Sequence, residues 1–296
     1  MSVKILVVYH NNAQVVQNEI LTPILAGAQN KNTAALLGES FLCDNDGENI
    51  SSKNALYNEL TAVYWAWKNY DKLGNPEHIG LCHYRRFFIF QKRRSPYYEA
   101  KQIDGQFFKT INCSTETVNS VVDNCDYVAP MPTARTSVRL NYARAHRIED
   151  LEAVQSIINT KYPEYANAAK TYFDGSKAYY YNMFIFDKST FFRYCEWLFA
   201  ILFEFERTAK RVPDRMYISE RLTGVFFTKL EEEGKKASYL PTLYITGQKP
   251  KIKEVIAQTK TNLKLKNSSK LYAFKPIILY LTPHFILRMR RSKRCK

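Results

Sequence analysis

"IGLCHYRRFF", residues 79–88, begins as a buried strand and ends in charge. Ile79, Gly80, Leu81, Cys82 and Tyr84 suit a core, but His83, Arg85 and Arg86 do not, and Phe87 and Phe88 then resume the apolar run. Read as one strand, the alternation of faces puts His83 and Arg85 on one side and Tyr84 and Arg86 on the other. A buried, unpaired charge is costly. These guanidinium groups therefore need a partner, either an acid of the protein or an anionic ligand. Ligands of open α/β sheets gather at the C-terminal ends of the strands. A His-x-Arg pair at such an end offers a hydrogen-bond donor and a bidentate fork for phosphate oxygens.

Working outward, "KILVVYH" (4–10) is a β-branched apolar run that suits a first strand and ends at His10. "AALLGESFLCDNDGENISSKN" (34–54) passes from apolar residues into an Asp/Asn/Gly/Ser loop. "ALYNELTAVYWAWKNY" (55–70) repeats Leu56, Leu60, Val63, Tyr64, Trp67 and Tyr70 at helical spacing, with Asn54 as N-cap. Downstream, the pattern predicts a helix near 114–123, a strand at 126–130 and two helices broken before Pro163. It then predicts a strand over 178–188, a buried helix over 189–210, a helix over 215–234 closed by Gly234 and a last strand within 237–245. Strands alternating with helices indicate a single α/β domain over residues 1–248, its mostly parallel central sheet flanked by helices. No internal repeat, G-x-G-x-x-G or Walker A loop is present.

Hydrophobic residues make up 46% of the 296-residue chain and aromatics 14%, enough for a sizeable packed core and against disorder. Six cysteines without a C-x-x-C pair read as free thiols in a reducing compartment. The apolar run near the N-terminus is too short for a signal sequence, so a cytoplasmic location is expected. Charge is unevenly placed. Residues 249–296 hold fourteen Lys or Arg and one acid, Glu254, which is +13 of the net +15; the rest carries 29 basic and 27 acidic side chains. A nearly neutral body with aromatics at core spacing argues against a nucleic-acid binder, which stays the alternative reading together with a non-catalytic membrane-surface protein. The tail is apolar from Leu271 to Leu287 but interrupted by Lys275, Pro276 and Pro283, a poor membrane span. It suits lying on the anionic inner leaflet as a peripheral membrane anchor; the other reading packs it on the body with a basic end.

Four further features carry chemistry. Asp44, Asp46 and Glu48 in "CDNDGENIS" alternate as hard oxygen ligands do, although such runs also make plain turns. Asn182 is an amide inside a strand-like run, so it bonds backbone or meets a ligand. Glu220 and Asp150 are helix carboxylates, each a general base only if it faces a pocket. Glu196, in the apolar helix, reads as a core acid.

In order and spacing, "LCDNDGENISSKN", "NELTAVYWAWKN…HYRRFF", "YYYNMFIFDKSTFF" and "RMYISERLTGVFF" resemble the bacterial DUF4422 family over roughly residues 3–230. The resemblance implies a GT-A-like glycosyltransferase of capsule, exopolysaccharide or O-antigen synthesis, with galactofuranose transfer among the family's associations. It implies a nucleotide-sugar donor, UDP-linked in the first instance, and a lipid-linked saccharide acceptor. His83, Tyr84, Arg85 and Arg86 match the family's HYRR block, which lies where other GT-A enzymes carry an Asp-x-Asp metal motif. Asp44, Gly47, Asn49 and Ser51 match its D-x-x-G-x-N-I-S loop; Glu59, Trp65 and Trp67 match its helix block. Asn182, Met183 and Phe184 match NMF, and Glu220 with Arg221 match ERL. Tyr217, Ile218 and Ser219 stand where members usually read Gly-Phe-Leu, and Glu48 stands for an Asp. The implied donor and diphosphate set is His10, Asp44, Asn49, His83, Tyr84, Arg85, Arg86 and Asn182. The expected acceptor-side bases are Glu220, which matches the family block, and Asp150, which opens a helix. No metal ligand is assigned and no cofactor is obligatory, with Mg2+ or Mn2+ admitted.

Overall fold

The computed structural model describes residues 2–11, 13–31, 41–133 and 136–247. The basic tail and its boundary at 248 lie outside the described residues. Ten strands form one sheet. They are β1 (Val3–Tyr9), β2 (Leu21–Leu25), β3 (Leu42–Cys43), β4 (His78–His83) and β5 (Arg86–Phe88), followed by β6 (Tyr97–Ala100), β7 (Tyr127–Pro130), β8 (Phe184–Asp187), β9 (Ala237–Leu240) and β10 (Thr242–Ile245). In β1, Ile5, Val7 and Tyr9 enter one hydrophobic core and Leu6 and Val8 the other. Its near-continuous apolar run is what a strand covered on both faces requires. Helices Leu60–Lys68, Ile148–Lys161, Ala166–Asp174, Lys188–Thr208 and Ser219–Glu232 pack into the larger core. Helices Phe107–Ile111 and Thr115–Val122 pack into the smaller one.

The sheet is mixed, with five parallel and four antiparallel pairings among the described residues. Parallel pairing joins β1 to β2 and β4, β2 to β3, β6 to β10 and β7 to β9. Antiparallel pairing joins β4 to β5 and β8, β5 to β10 and β7 to β8. Residues 79–88 are therefore not one strand. His83 pairs with Arg86 around a two-residue turn, Tyr84–Arg85, so the chain reverses at the charged block and the simple alternation of faces ends there.

Beyond β4 the sheet forks. β8 pairs with His78–Leu81 of β4, whereas β5 meets it only at His83. One branch continues β8–β7–β9 and the other β5–β10–β6. Gly80 lets β8 come close, since a Cβ there would stand 2.9 Å from the Phe184 carbonyl oxygen. Residues 237–245 are two strands, one in each branch, because Pro241 between them has no N–H to donate to a ladder.

Two other elements are shorter than their patterns predict. The 55–70 helix breaks at Asn58 (φ 52°) into Asn54–Tyr57 and Leu60–Lys68. Asn54 is not its cap but lies in its first turn, donating to the Asn58 carbonyl (2.6 Å) and Thr61 Oγ1 (3.1 Å) across the break. The 178–188 strand shrinks to Phe184–Asp187, since Tyr181 (φ 79°) and Asn182 (φ 50°) turn the chain sharply before it. The break before Pro163 stands as expected, between helices 148–161 and 166–174.

Helix 219–232 crosses helix 166–174 closely at Gly224, where an added Cβ would fall 2.0 Å from Tyr172 Cζ. Tyr172 is buried and its hydroxyl accepts the Tyr179 N–H, so the ring has little room to yield. Gly224→Ala should cost about 1–3 kcal/mol by overpacking, more than the roughly 1 kcal/mol it gains in helix propensity. A lowered urea midpoint checks this; an unchanged one would mean that the helices separate freely.

Candidate functional site

A cavity of about 430 Å3 opens at the C-terminal ends of the parallel strands β1 and β4. His10 follows β1, His83 ends β4, and Ala26 and Lys31 follow β2. Glu59 stands just before helix 60–68, and Ser219 and Glu220 open helix 219–232. Arg215 and Tyr217 complete that side of the rim.

Arg85 and Arg86 answer the question their sequence raises. Neither forms an ion pair among the described residues, and the Nε of each is buried without a hydrogen-bond partner. Aromatic rings hold them instead. Arg85 lies over Tyr84 at 4.9 Å, and Arg86 over Tyr181 at 4.4 Å and Tyr244 at 5.6 Å. Stacking on ring faces supports a guanidinium without neutralising it. With Lys31 and Arg215 they give the cavity four cationic side chains against two carboxylates, Glu59 and Glu220. Burial depresses the Lys31 pKa, opposed by the charge of Asp44.

His83 lines the cavity, but it is not a cationic ligand. Its Nε2 donates to the Tyr181 carbonyl, which fixes the ring tautomer. Burial depresses its pKa, opposed by Glu59 and reinforced by Arg86, which favours the neutral ring. His10 packs edge-on against Tyr84 at 4.9 Å, its pKa likewise lowered by burial and by Lys31.

Asp44 and Asn49 do not line the cavity. Asp44 is fully buried and accepts from the Gly27 and Ala28 N–H groups (2.8 and 2.9 Å) and from Ser51 Oγ. It shapes the turn that leads from β2 to Lys31. Asn49 closes its own loop, donating to the Gly47 carbonyl (2.9 Å) and accepting the Ser51 N–H (3.1 Å). Asp46 pairs with Lys72 at 2.7 Å and Glu48 with Lys68 at 3.4 Å. The acidic loop is thus a turn, and among the described residues no group of three or more His, Cys, Asp or Glu is placed to hold a metal.

Asn182 is also internal. Its amide donates to Glu59 Oε1 (2.8 Å) and Ser219 Oγ (3.0 Å) and accepts from Thr223 Oγ1 (2.8 Å), which meets the Tyr194 hydroxyl at 2.7 Å. Every polar position of the amide that matters is used, and Glu59 is held in place by it.

Of the two expected bases, only Glu220 faces the cavity. Its carboxylate lies 3.5 Å from Arg221 Nη1 and keeps 28% exposure. Burial raises its pKa, Arg221 and Arg86 pull it down, and the Glu59 charge pushes it up. Asp150 lies outside the lining, buried in the first turn of helix 148–161; burial raises its pKa against the charges of Arg147 and Arg211. Glu196 is exposed and not a core acid. Lys31, Glu59 and Arg215 are site residues that the sequence did not single out as such.

Residues 4–232 match the model of a domain of unknown function, DUF4422. The fold is similar to the apo structure of WbbM, a bifunctional glycosyltransferase, with a TM-score of 0.72 and 29% identity. That match covers 83% of this chain and 46% of the other, so the chain spans less than half the length of WbbM. No curated protein matches. With a mixed α/β sheet flanked by helices and a family match over most of its length, the chain belongs to the DUF4422 family.

Proposed function

We propose that this protein is a GT-A-like glycosyltransferase. It moves a hexose from a nucleotide-sugar donor, UDP-linked and with UDP-galactofuranose as one candidate, to a lipid-linked saccharide in bacterial surface polysaccharide synthesis. The observation that carries the reading is the strand-end cavity, where stacked, unpaired guanidinium groups stand beside carboxylates. Likeness to a glycosyltransferase at 29% identity supports it.

In an inverting transfer the bond between the anomeric carbon and the donor phosphate oxygen breaks, and its electron pair leaves on the diphosphate. Arg85, Arg86, Lys31 and Arg215 meet that growing charge. The acceptor oxygen bonds to the anomeric carbon as its proton passes to Glu220. The two guanidinium groups at the end of β4 have no lone pair to give a divalent cation, and among the described residues no group of three or more His, Cys, Asp or Glu is placed to hold one. Cationic side chains therefore take that role here, and metal dependence is weak or absent on this reading.

The tail, outside the described residues, docks the enzyme on the inner face of the cell membrane beside its acceptor. Among the described residues no helix is long and apolar enough to cross a membrane. A melting-shift screen of UDP-, GDP- and dTDP-sugars tests the donor. UDP-sugars should raise the Tm, with or without EDTA. A shift that needs added Mn2+ would overturn metal independence, and no shift with any nucleotide sugar would overturn the donor reading.

A further inference from the structure

A second cavity, about 170 Å3, is lined from both branches of the sheet. Pro130 ends β7, Thr242 opens β10 and Tyr97 opens β6. Met131, Tyr180 and Tyr181 close it. Tyr181 lines this cavity and the cationic one.

That ring is held by strained backbone. Tyr181 and Asn182 both have positive φ, which is unusual for a bulky residue and costs of order 1–3 kcal/mol each. The bond from His83 to the Tyr181 carbonyl and the Asn182 amide bonded to Glu59, Ser219 and Thr223 hold the pair there. Buried polar groups thus fix the wall shared by the two cavities.

The lining suits one kind of occupant. A sugar ring presents a face of C–H groups, which the electron-rich face of a tyrosine attracts. A nucleobase is read along its edge by hydrogen-bonding groups, but three backbone N–H groups of the lining are already used. Thr242 donates to Pro96, Met131 to Leu240 and Thr133 to Ala178.

We infer that the second cavity seats the sugar ring of the acceptor against Tyr97 and Tyr181, so that a ring hydroxyl reaches past Tyr181 to Glu220. This rests on the glycosyltransferase reading of the first cavity. The division of labour follows from the sheet: the diphosphate binds where parallel strands end, and the acceptor binds against residues of both branches.

The test uses the full chain and saturation-transfer NMR with methyl β-galactopyranoside, methyl β-glucopyranoside and methyl α-mannopyranoside at high millimolar concentration. At least one should receive saturation from the wild type. Tyr97→Ala should weaken its binding about fivefold, and Tyr97→Phe should restore it. Tyr97 is 40% exposed, so the fold should tolerate both changes, which the ligand-free melting temperature checks. UDP should shift the Tm of all three proteins equally and should not displace the glycoside. Unchanged binding in Tyr97→Ala, displacement by UDP, or no saturation of any glycoside would each overturn the subsite. If UDP fails to bind the wild type while glycoside binding still follows Tyr97, the donor reading falls and the sugar subsite stands.

Discussion

Glu220→Gln should lower sugar transfer by about 10²–10⁴-fold, the usual contribution of a general base, while the nucleotide sugar still binds. Gln keeps the shape and loses the basicity. Burial and the nearby Glu59 charge raise the Glu220 pKa despite Arg221 and Arg86, so the carboxyl is a stronger base than an exposed glutamate. The pH profile follows from the sign of that shift. Only the ionised form accepts a proton, so transfer should fall as pH drops through a pKa above the ordinary glutamate range. Glu59→Gln removes a neighbouring negative charge and should move that acid limb to lower pH. Kinetics across pH with a donor and a purified acceptor measure both effects. Near-wild-type transfer by Glu220→Gln would pass the role to Glu59, the other carboxylate of the cavity.

Replacing both strand-end arginines should be nearly as damaging. The double change Arg85→Ala and Arg86→Ala is expected to reduce kcat by about 10²–10³-fold and to raise donor KM, since the leaving diphosphate loses preorganised positive charge. The single changes should each do less. Arg86→Ala also uncovers the Tyr181 ring and so should disturb acceptor KM, whereas Arg85→Ala, stacked on Tyr84, should not. Steady-state kinetics with donor and acceptor varied separately distinguish the two. Full activity in the double variant would remove the diphosphate from this strand end.

Much of this arrangement was legible in the chain. Apolar runs with β-branched residues placed β1 and the first part of β4, and helical spacing placed the long helices, because burial is what their patterns encode. The charged end of β4 pointed to the cavity for a sound reason, since neither arginine forms an ion pair among the described residues. The reversal at Tyr84–Arg85 was not legible. Nothing in "HYRR" has the glycine or asparagine that marks a two-residue turn, and the pairing with β10 that stabilises the return strand comes from more than 150 residues downstream. Antiparallel entry of β8 was hidden for the same reason. Asp44 and Asn49 looked like ligands because turn chemistry and ligand chemistry use the same side chains; only their partners tell them apart. Lys31, Glu59 and Arg215 sit in unrelated segments, and folding alone brings them to one cavity.

The left-handed pair Tyr181–Asn182 also sets limits on how this protein can be improved. Glycine fits such backbone angles without a Cβ penalty, so a search for thermostable variants has reason to accept it at 181. That substitution would erase the ring that lines both cavities. At 182, glycine would release the amide that holds Glu59 and leave a buried acceptor and hydroxyls without their partner. Variants chosen here by melting temperature alone would therefore drift towards a sturdier protein with its cavity wall dismantled, as expected wherever strain and function share residues. Stabilisation is better sought within helices 107–111 and 115–122, whose own residues line neither cavity.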